Sequence, residues 1–345
     1  MSAGLRFAGW VPVSRLRAVH VGLGPIGLGV ADAVARLPQV ESVAAVDPLF
    51  AGRDLGELLA GPPSGVRVAA DLDRALRDVP VDVALHCTGS HLVQVEPQLS
   101  ALIGHGVNVV STCEELAWPW FHHAREARRL DDQARAAGVR LLGTGVNPGF
   151  VMDLLPVFMG AVALRVDAVR VERVVDASTR RLPLQVKIGA GLTEEAFRER
   201  VEQRQLGHVG LVESVAMIAA GLGWELDVIE QVIEPVIAEQ PIRSEALSVE
   251  AGQVRGLHQV ATGSIGAERT ISLDLVMMLA AETPQDVIEL TGLPTLRLRV
   301  EGGTHGDIAT VAAVASAVPR IHRAPAGLVS VLDLPTAPTG RRPGG

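Results

Sequence analysis

Leu16-Arg17-Ala18-Val19-His20-Val21 alternates apolar and polar positions, the period-two signature of a strand. It runs directly into Gly22-Leu23-Gly24-Pro25-Ile26-Gly27, and helical spacing then continues to about Leu37. A second strand pattern covers Ser42–Val46 and ends at Asp47. Further strand patterns follow at Val66–Ala69, Val81–Cys87, Val107–Ser111 and Arg140–Gly143, with helical patterns between them, as at His91–His105 and Trp120–Ala137. Strands alternating with helices over this length predict an α/β fold built on a parallel, doubly wound sheet of the Rossmann kind.

The pattern changes after Pro148. Ala168–Thr179, Ile242–Ala251, Gln253–Ile265, Arg269–Leu279 and Leu296–Glu301 form longer segments, many of them alternating, joined in places by turns such as Ala251-Gly252 and Gly266-Ala267. They predict an α+β domain with a mostly antiparallel, meander-like sheet. Two helices interrupt it, at Thr193–Gln205 and Val209–Leu222, and a last helix, about Asp307–Ala317, is expected to return to the first domain. The expected division is therefore 16–147 with about 305–335 as the dinucleotide-binding domain and 148–304 as the substrate-binding and dimerisation domain. The ends, 1–15 and 336–345, read as flexible.

Composition narrows the function. A chain of 345 residues, 48% hydrophobic, is long enough for two cores. No apolar run approaches the roughly 18 residues of a membrane helix, and the N-terminus lacks the features of a signal peptide. Two cysteines without metal-ligand spacing suit a reducing cytoplasm, and no metal is expected. A net charge of -8 with no basic block argues against nucleic acid or an anionic membrane as partner. The absence of Tyr closes the mechanism of short-chain dehydrogenases, which use a Tyr acid. Of the 31 basic residues one alone, Lys187, is lysine, and no Gly-rich loop precedes it as a Walker motif requires.

The glycine run has its full context: a strand before it, a helix after it, and Asp47 closing the next strand about 20 residues on. Gly22 makes the tight turn, Gly24 lets backbone approach a pyrophosphate, Gly27 lets the helix pack on the sheet, and Pro25 and Ile26 open that helix, whose free N–H groups attract phosphate. Asp47 suits the adenine ribose hydroxyls of NAD. Arg53 either offsets that charge and admits NADP or is a solvated loop cation, so tolerance of both cofactors is expected. Thr88, Gly89 and Ser90 end a strand at the ligand-binding edge, with Ser90 alternatively a helix N-cap.

The next strand ends at Ser111-Thr112-Cys113-Glu114-Glu115, where a nicotinamide ring should lie. A carboxylate there, among Leu116, Ala117, Trp118 and Pro119, has its charged form disfavoured and becomes a candidate acid/base. The other reading places both glutamates at a helix N-terminus, favouring its dipole. Thr112 and Cys113 flank the same edge, although Cys113 also reads as a small buried hydrophobe. Asn147, in Gly143-Thr144-Gly145-Val146-Asn147-Pro148-Gly149, falls at the hand-over between domains and offers a hydrogen bond to substrate or to the nicotinamide amide. His208, Thr304 and His305 sit in glycine-flanked turns that open towards helices, as cleft, packing or capping residues.

These segments together resemble the dihydrodipicolinate-reductase-like oxidoreductases, in the branch of the native amine dehydrogenases and 2,4-diaminopentanoate dehydrogenase. The resemblance is carried by Ser111–Leu116, by Gly143–Phe150, by Glu172-Arg173-Val174-Val175-Asp176-Ala177-Ser178, by Lys187-Ile188-Gly189, and by Gly207-His208-Val209-Gly210-Leu211. Gly306-Asp307-Ile308-Ala309-Thr310, Pro319-Arg320 and Asp333-Leu334-Pro335 extend it. The basic His/Lys substrate motif of dihydrodipicolinate reductase itself is missing. The resemblance implies NAD(P)H-dependent, reversible reductive amination of a ketone or aldehyde by ammonia, with an amino-acid dehydrogenase as the alternative and a non-catalytic NAD(P)-binding sensor as the remote one. It maps the family's catalytic glutamate onto the Glu114–Glu115 pair, with Glu114 the choice, and implies a homodimer. If the substrate carries a carboxylate, Arg173, Arg180 and Lys187 are its candidate partners.

Overall fold

The computed structural model describes residues 15–335 apart from 179, 181, 245 and 246. The expected flexible ends, Arg15 excepted, lie outside these residues. The first six strands are β1 (Leu16–Val21), β2 (Val40–Val46), β3 (Val68–Ala69), β4 (Val83–His86), β5 (Asn108–Ser111) and β6 (Arg140–Gly143). The second region supplies β7 (Arg165–Asp176), β8 (Val228–Ile237), the short β9 (Ile242–Arg243) and β10 (Ser248–Val249), β11 (Val254–Ile265), β12 (Glu268–Met278), β13 (Gln285–Leu293) and β14 (Leu296–Glu301). β15 (Gly327–Val329) then rejoins the first sheet beside β6.

The helices of the first region are α1 (Pro25–Ala35), α2 (Leu55–Leu58), α3 (Leu72–Leu76), α4 (Leu92–Gly104) and α5 (Ala124–Ala137). Those of the second are α6 (Leu154–Gly160), α7 (Leu182–Lys187), α8 (Glu194–Glu202) and α9 (Leu211–Leu222), and α10 (Gly306–Ala317) closes the series.

The first sheet is parallel throughout, in the order β15-β6-β5-β4-β1-β2-β3, so the strand order reverses between β1 and β4. Strands such as β4, with every residue buried, are covered on both faces, which is why they read as apolar runs rather than alternations. One cluster packs α4 and α5 residues (Leu99, Leu102, Leu130) on Val19, Val109 and Leu141, and another packs α1 and α10 (Val30, Val34, Val314, Ala317) on Ala18, Leu85 and Leu142. The last helix thus returns to the first sheet as its sequence suggested.

The second sheet is mixed rather than a pure meander, with order β14-β13-β7-β12-β11-β8. β12 pairs β7 in parallel, and the other neighbours are antiparallel. Ile242–Ala251, expected as one strand, is a small hairpin of β9 and β10. The segment read as a helix from Trp120 begins only at Ala124, because Trp118–His123 turn through Pro119. β8 and β13 carry no clean alternation: Glu230, Glu234 and Pro235 break up an edge strand, and Asp286 is a buried charge. α6 and α9 cover one face of this sheet, packing Leu155, Val157, Leu211, Val215 and Ile218 on Val171, Leu273 and Ile288. Among the described residues no helix is long and apolar enough to cross a membrane.

Candidate active site

The C-terminal edge of the first sheet faces β7 and β12 of the second across a cleft of about 670 Å³. Open α/β sheets bind ligands at this edge, outside the point where strand order reverses. Ile26, Cys87, Thr88, Gly89, Ser90, Thr112 and Glu114 line the cleft from the sheet side. The far wall comes from β7 and β12, where Val175 lies directly beside Met277 and Arg173 beside Leu275.

The glycine turn is built as its spacing requires. Gly22 has φ +85°, and a Cβ there would lie 2.7 Å from the Cys87 carbonyl oxygen. A Cβ on Gly27 would collide with the Gly22 carbonyl oxygen, so α1 packs too close to the strand for any side chain. Gly24 is different: a Cβ there would meet nothing within 4 Å, and no side chain caps the helix that starts at Pro25. An open cradle above uncapped helical N–H groups fits a dinucleotide pyrophosphate. Asp47 braces the turn, accepting from the backbone N–H of Leu23 at 2.7 Å and of Leu49 at 2.9 Å. Arg53 is exposed in the loop beyond.

The adjacent glutamates part company. Glu115 turns away from the cleft. It accepts hydrogen bonds from the Leu92 N–H at 2.7 Å and lies 2.8 Å from His91 Nδ1 and 3.0 Å from His123 Nε2. It therefore completes the N-terminus of α4, whose N-cap is His91, not Ser90. Ser90 lines the cleft, and its carbonyl accepts from the Cys113 thiol at 3.2 Å. Cys113, a candidate cofactor contact, is buried behind the residues that line the cleft, and burial pushes its thiol well above the usual range. Cys87 does line the cleft, with its thiol pushed up by burial to about 12, which leaves it inert as a nucleophile.

Glu114 remains on the cleft wall. Burial raises its pKa above the ordinary carboxylate value, and the positive charge of Lys187 pulls the other way. Gly210, φ +102°, covers it: a Cβ at Gly210 would lie 3.2 Å from Glu114 Cβ and would collide with the Pro148 ring. Next to it, Asn147 Nδ2 stands 3.1 Å from His208 Nε2, and Asn147 Oδ1 is buried with no partner. His208 is fixed in turn by Gln259, whose Oε1 accepts from the His208 N–H at 2.7 Å. Burial, with the charges of Lys187 and Arg173, pushes the His208 imidazole down to about 3, so it is neutral at any working pH. Asp153 holds the Asn147 loop, accepting from the Gly149 N–H and the Ser214 hydroxyl, each at 2.8 Å.

Two of the sequence candidates lie elsewhere. His305 is the exposed N-cap of α10, and Thr304 lines an apolar groove between α6 and α10. The Thr304 carbonyl accepts from Arg173 Nη2 at 2.7 Å, and Arg173 also pairs with Asp286 at 3.0 Å. Arg173 is not a strand-surface cation: it is 4% exposed and its partner 1%. Removing Asp286 strands that charge, so Asp286→Ala is expected to cost about 3–5 kcal/mol of stability in urea unfolding. The sequence alone did not place Thr310 and Asp307 of α10 or Pro183 and Leu184 of α7 in the cleft. For Asp307 and Thr310 the signals were the helix expected to return to the first domain and the Gly306–Thr310 motif, and Pro183 and Leu184 had none. Among the described residues no cluster of three or more His, Cys, Asp or Glu could hold a metal ion.

Residues 150–340 match the family model described as the 2,4-diaminopentanoate dehydrogenase C-terminal domain. The chain belongs to this family. It is 30% identical to 2,4-diaminopentanoate dehydrogenase of Acetoanaerobium sticklandii over 94% of each chain. The structure of amine dehydrogenase from Mycobacterium smegmatis superposes with TM-score 0.84 at 26% identity, over 95% of this chain and 98% of that one. Dihydrodipicolinate reductase from Paenisporosarcina sp. TG-14 shares the fold, with TM-score 0.53 at 16% identity over 92% and 98%. The relatives matched along the whole chain and the shared fold account for both halves of it.

Proposed function

We propose that this protein is an NAD(P)-dependent dehydrogenase of primary amines, running reversibly as a reductive aminase of ketones or aldehydes. The observation that carries the reading is the half-buried carboxylate of Glu114, on the cleft wall beside the strand edge where the nicotinamide belongs. Gly22, Gly24 and Gly27 with the start of α1 hold the cofactor phosphates, Asp47 takes the ribose hydroxyls, and Thr88, Gly89, Ser90 and Thr112 flank the nicotinamide end. The bound nicotinamide supplies hydride exchange at the reacting carbon. Glu114 orients the nitrogen and takes the proton of the substrate ammonium; once that proton has passed to solvent, its negative charge favours the iminium ion that forms when carbon loses hydride. Asn147 offers its unpartnered Oδ1 to an N–H donor, and neutral His208 keeps that amide in place.

Arg53, exposed six residues past Asp47, lets the ribose site admit a 2′-phosphate, so both NADH and NADPH serve. A screen of ketones with ammonia, followed by loss of cofactor absorbance with each cofactor separately, tests the reading. Turnover with at least one ketone and with both cofactors is expected, and no turnover with any ketone or amine rejects it.

The two units divide near residues 148 and 305, and the enzyme is a cytoplasmic homodimer. Support comes from the face of the second sheet opposite α6 and α9, where Val174 lies beside Val276 and Val260 beside Val232, which is 58% exposed. Light scattering is expected to give twice the 36.3 kDa of one chain, and a single-chain mass at micromolar concentration contradicts this.

A further inference from the structure

His86 is a buried histidine that the chemistry above does not use. It ends β4 two residues after Ala84, on the face that packs against α4. Burial pushes its imidazole down to about 4, so the ring is neutral. His20 on the neighbouring β1 is as deeply buried and leaves its Nδ1 without a partner, whereas both ring nitrogens of His86 are engaged. Nδ1 lies 2.9 Å from the hydroxyl of Ser111, its direct neighbour on β5, and Nε2 lies 2.9 Å from Gln98 Oε1 on α4. The Thr88 hydroxyl donates to the same Gln98 oxygen at 2.7 Å.

The protons of this chain have one order. Gln98 Oε1 can only accept, so Nε2 carries the ring proton and Nδ1 accepts from the Ser111 hydroxyl. Ser111 Oγ in turn accepts from the Cys113 N–H at 3.0 Å, which ties down the turn leading to Glu114. Thr88 gives its single proton to Gln98, so it presents lone pairs alone to the cleft that it lines.

We propose that His86 and Gln98 are positioning residues: they hold the Thr88 hydroxyl as a hydrogen-bond acceptor for the nicotinamide nucleoside, and through Ser111 they fix the turn that carries Glu114. The inference rests on the cofactor and amine readings above and adds what holds their site in register. The donor facing Thr88 is a ribose hydroxyl or the carboxamide N–H of the cofactor.

Calorimetric titration with NADH tests the Thr88 arm without turnover. Thr88→Val is expected to raise Kd about tenfold, the loss of one well-oriented hydrogen bond. Gln98→Leu acts from behind the cleft wall. His86 Nε2 keeps Thr88 Oγ, 2.9 Å away, as acceptor, and the Thr88 proton is freed to turn against a ligand donor. Kd is expected to rise about three- to tenfold while the melting temperature of the cofactor-free protein holds. In the Gln98→Leu background Thr88→Val should then add less than about twofold, because both changes act on one interaction. Losses that multiply in full, or wild-type affinity in Gln98→Leu, overturn the inference. With the reduced 3-acetylpyridine analogue, which lacks the carboxamide N–H, a Thr88→Val penalty that persists assigns the ribose, and one that vanishes assigns the carboxamide.

Ser111→Ala tests the Glu114 arm: kcat for amine oxidation at saturating NAD and amine is expected to fall about tenfold, with NADH Kd within about twofold of wild type. His86→Gln keeps a donor at the ε position and loses Nδ1, so it should follow Ser111→Ala rather than Gln98→Leu. Wild-type kcat in both variants, or a loss confined to NADH affinity, overturns this arm. If the wild-type protein oxidises no amine, the amine reading fails, while the NADH titrations still decide the role of His86 and Gln98.

Discussion

Glu114→Gln is expected to lower kcat for amine oxidation by about 10²–10⁴-fold, the range that a positioned proton-transfer group supplies. The amide keeps the shape and can still donate to or accept from a nitrogen, but it cannot take up the proton that the amine must lose. NADH affinity, measured by fluorescence titration, should change little, because the glycine turn is built from other residues. Glu115→Gln is the matched control. Glu115 meets His91, His123 and the Leu92 N–H, so its loss is expected to cost about 1–3 kcal/mol of stability while leaving kcat at least about tenfold above that of Glu114→Gln. If the two variants exchanged these phenotypes, the assignment of Glu114 would be wrong.

The same carboxylate sets the pH dependence. Burial raises its pKa, so the ionised base is lost at a higher pH than for an exposed glutamate. In the oxidative direction kcat/KM should therefore fall on the acid side with a midpoint above the ordinary value of 4.5. His208, already down at about 3, contributes nothing to that limb. A profile without an acid limb, or a limb unchanged in Glu114→Gln, would remove Glu114 from the proton transfer.

The second large effect separates two glycines of one turn. Gly27→Ala is expected to destabilise the cofactor-free protein by about 1–3 kcal/mol, because its Cβ runs into the Gly22 carbonyl oxygen and the helix must move off the strand. A Cβ at Gly24 meets nothing within 4 Å, so the melting temperature of the cofactor-free Gly24→Val protein should hold. Its side chain would instead fill the phosphate cradle, and NADH Kd is expected to rise about a hundredfold, near 2.7 kcal/mol. Wild-type NADH binding by Gly24→Val would show that the pyrophosphate does not rest on this turn.

Much of this architecture follows from local chemistry. The Rossmann half is readable along the chain because each part has its own signal: buried parallel strands as apolar runs, glycines where backbone approaches backbone, an aspartate closing β2. The second sheet is less readable because its strands answer to partners far away in sequence. β8 carries glutamates at an edge, β13 buries Asp286 only because Arg173 meets it, and the parallel pairing of β7 with β12 has no local signature. Ser90 had the right residue type for an N-cap, but the Glu115 carboxylate took over the end of α4.

The sequence by itself determined the glycine turn, the pair of carboxylates after β5, and the set of separated motifs that tie both halves to one family. Only the tertiary structure decided which carboxylate faces the cleft, since the two are neighbours and the choice depends on His91 and His123 arriving from other segments. It also decided that Lys187, Arg180 and Asn147 converge on the same space while Thr304 and His305 do not. Side-chain type is local information. Direction and company are set by packing, where a contact between residues dozens of positions apart outweighs the preferences of either.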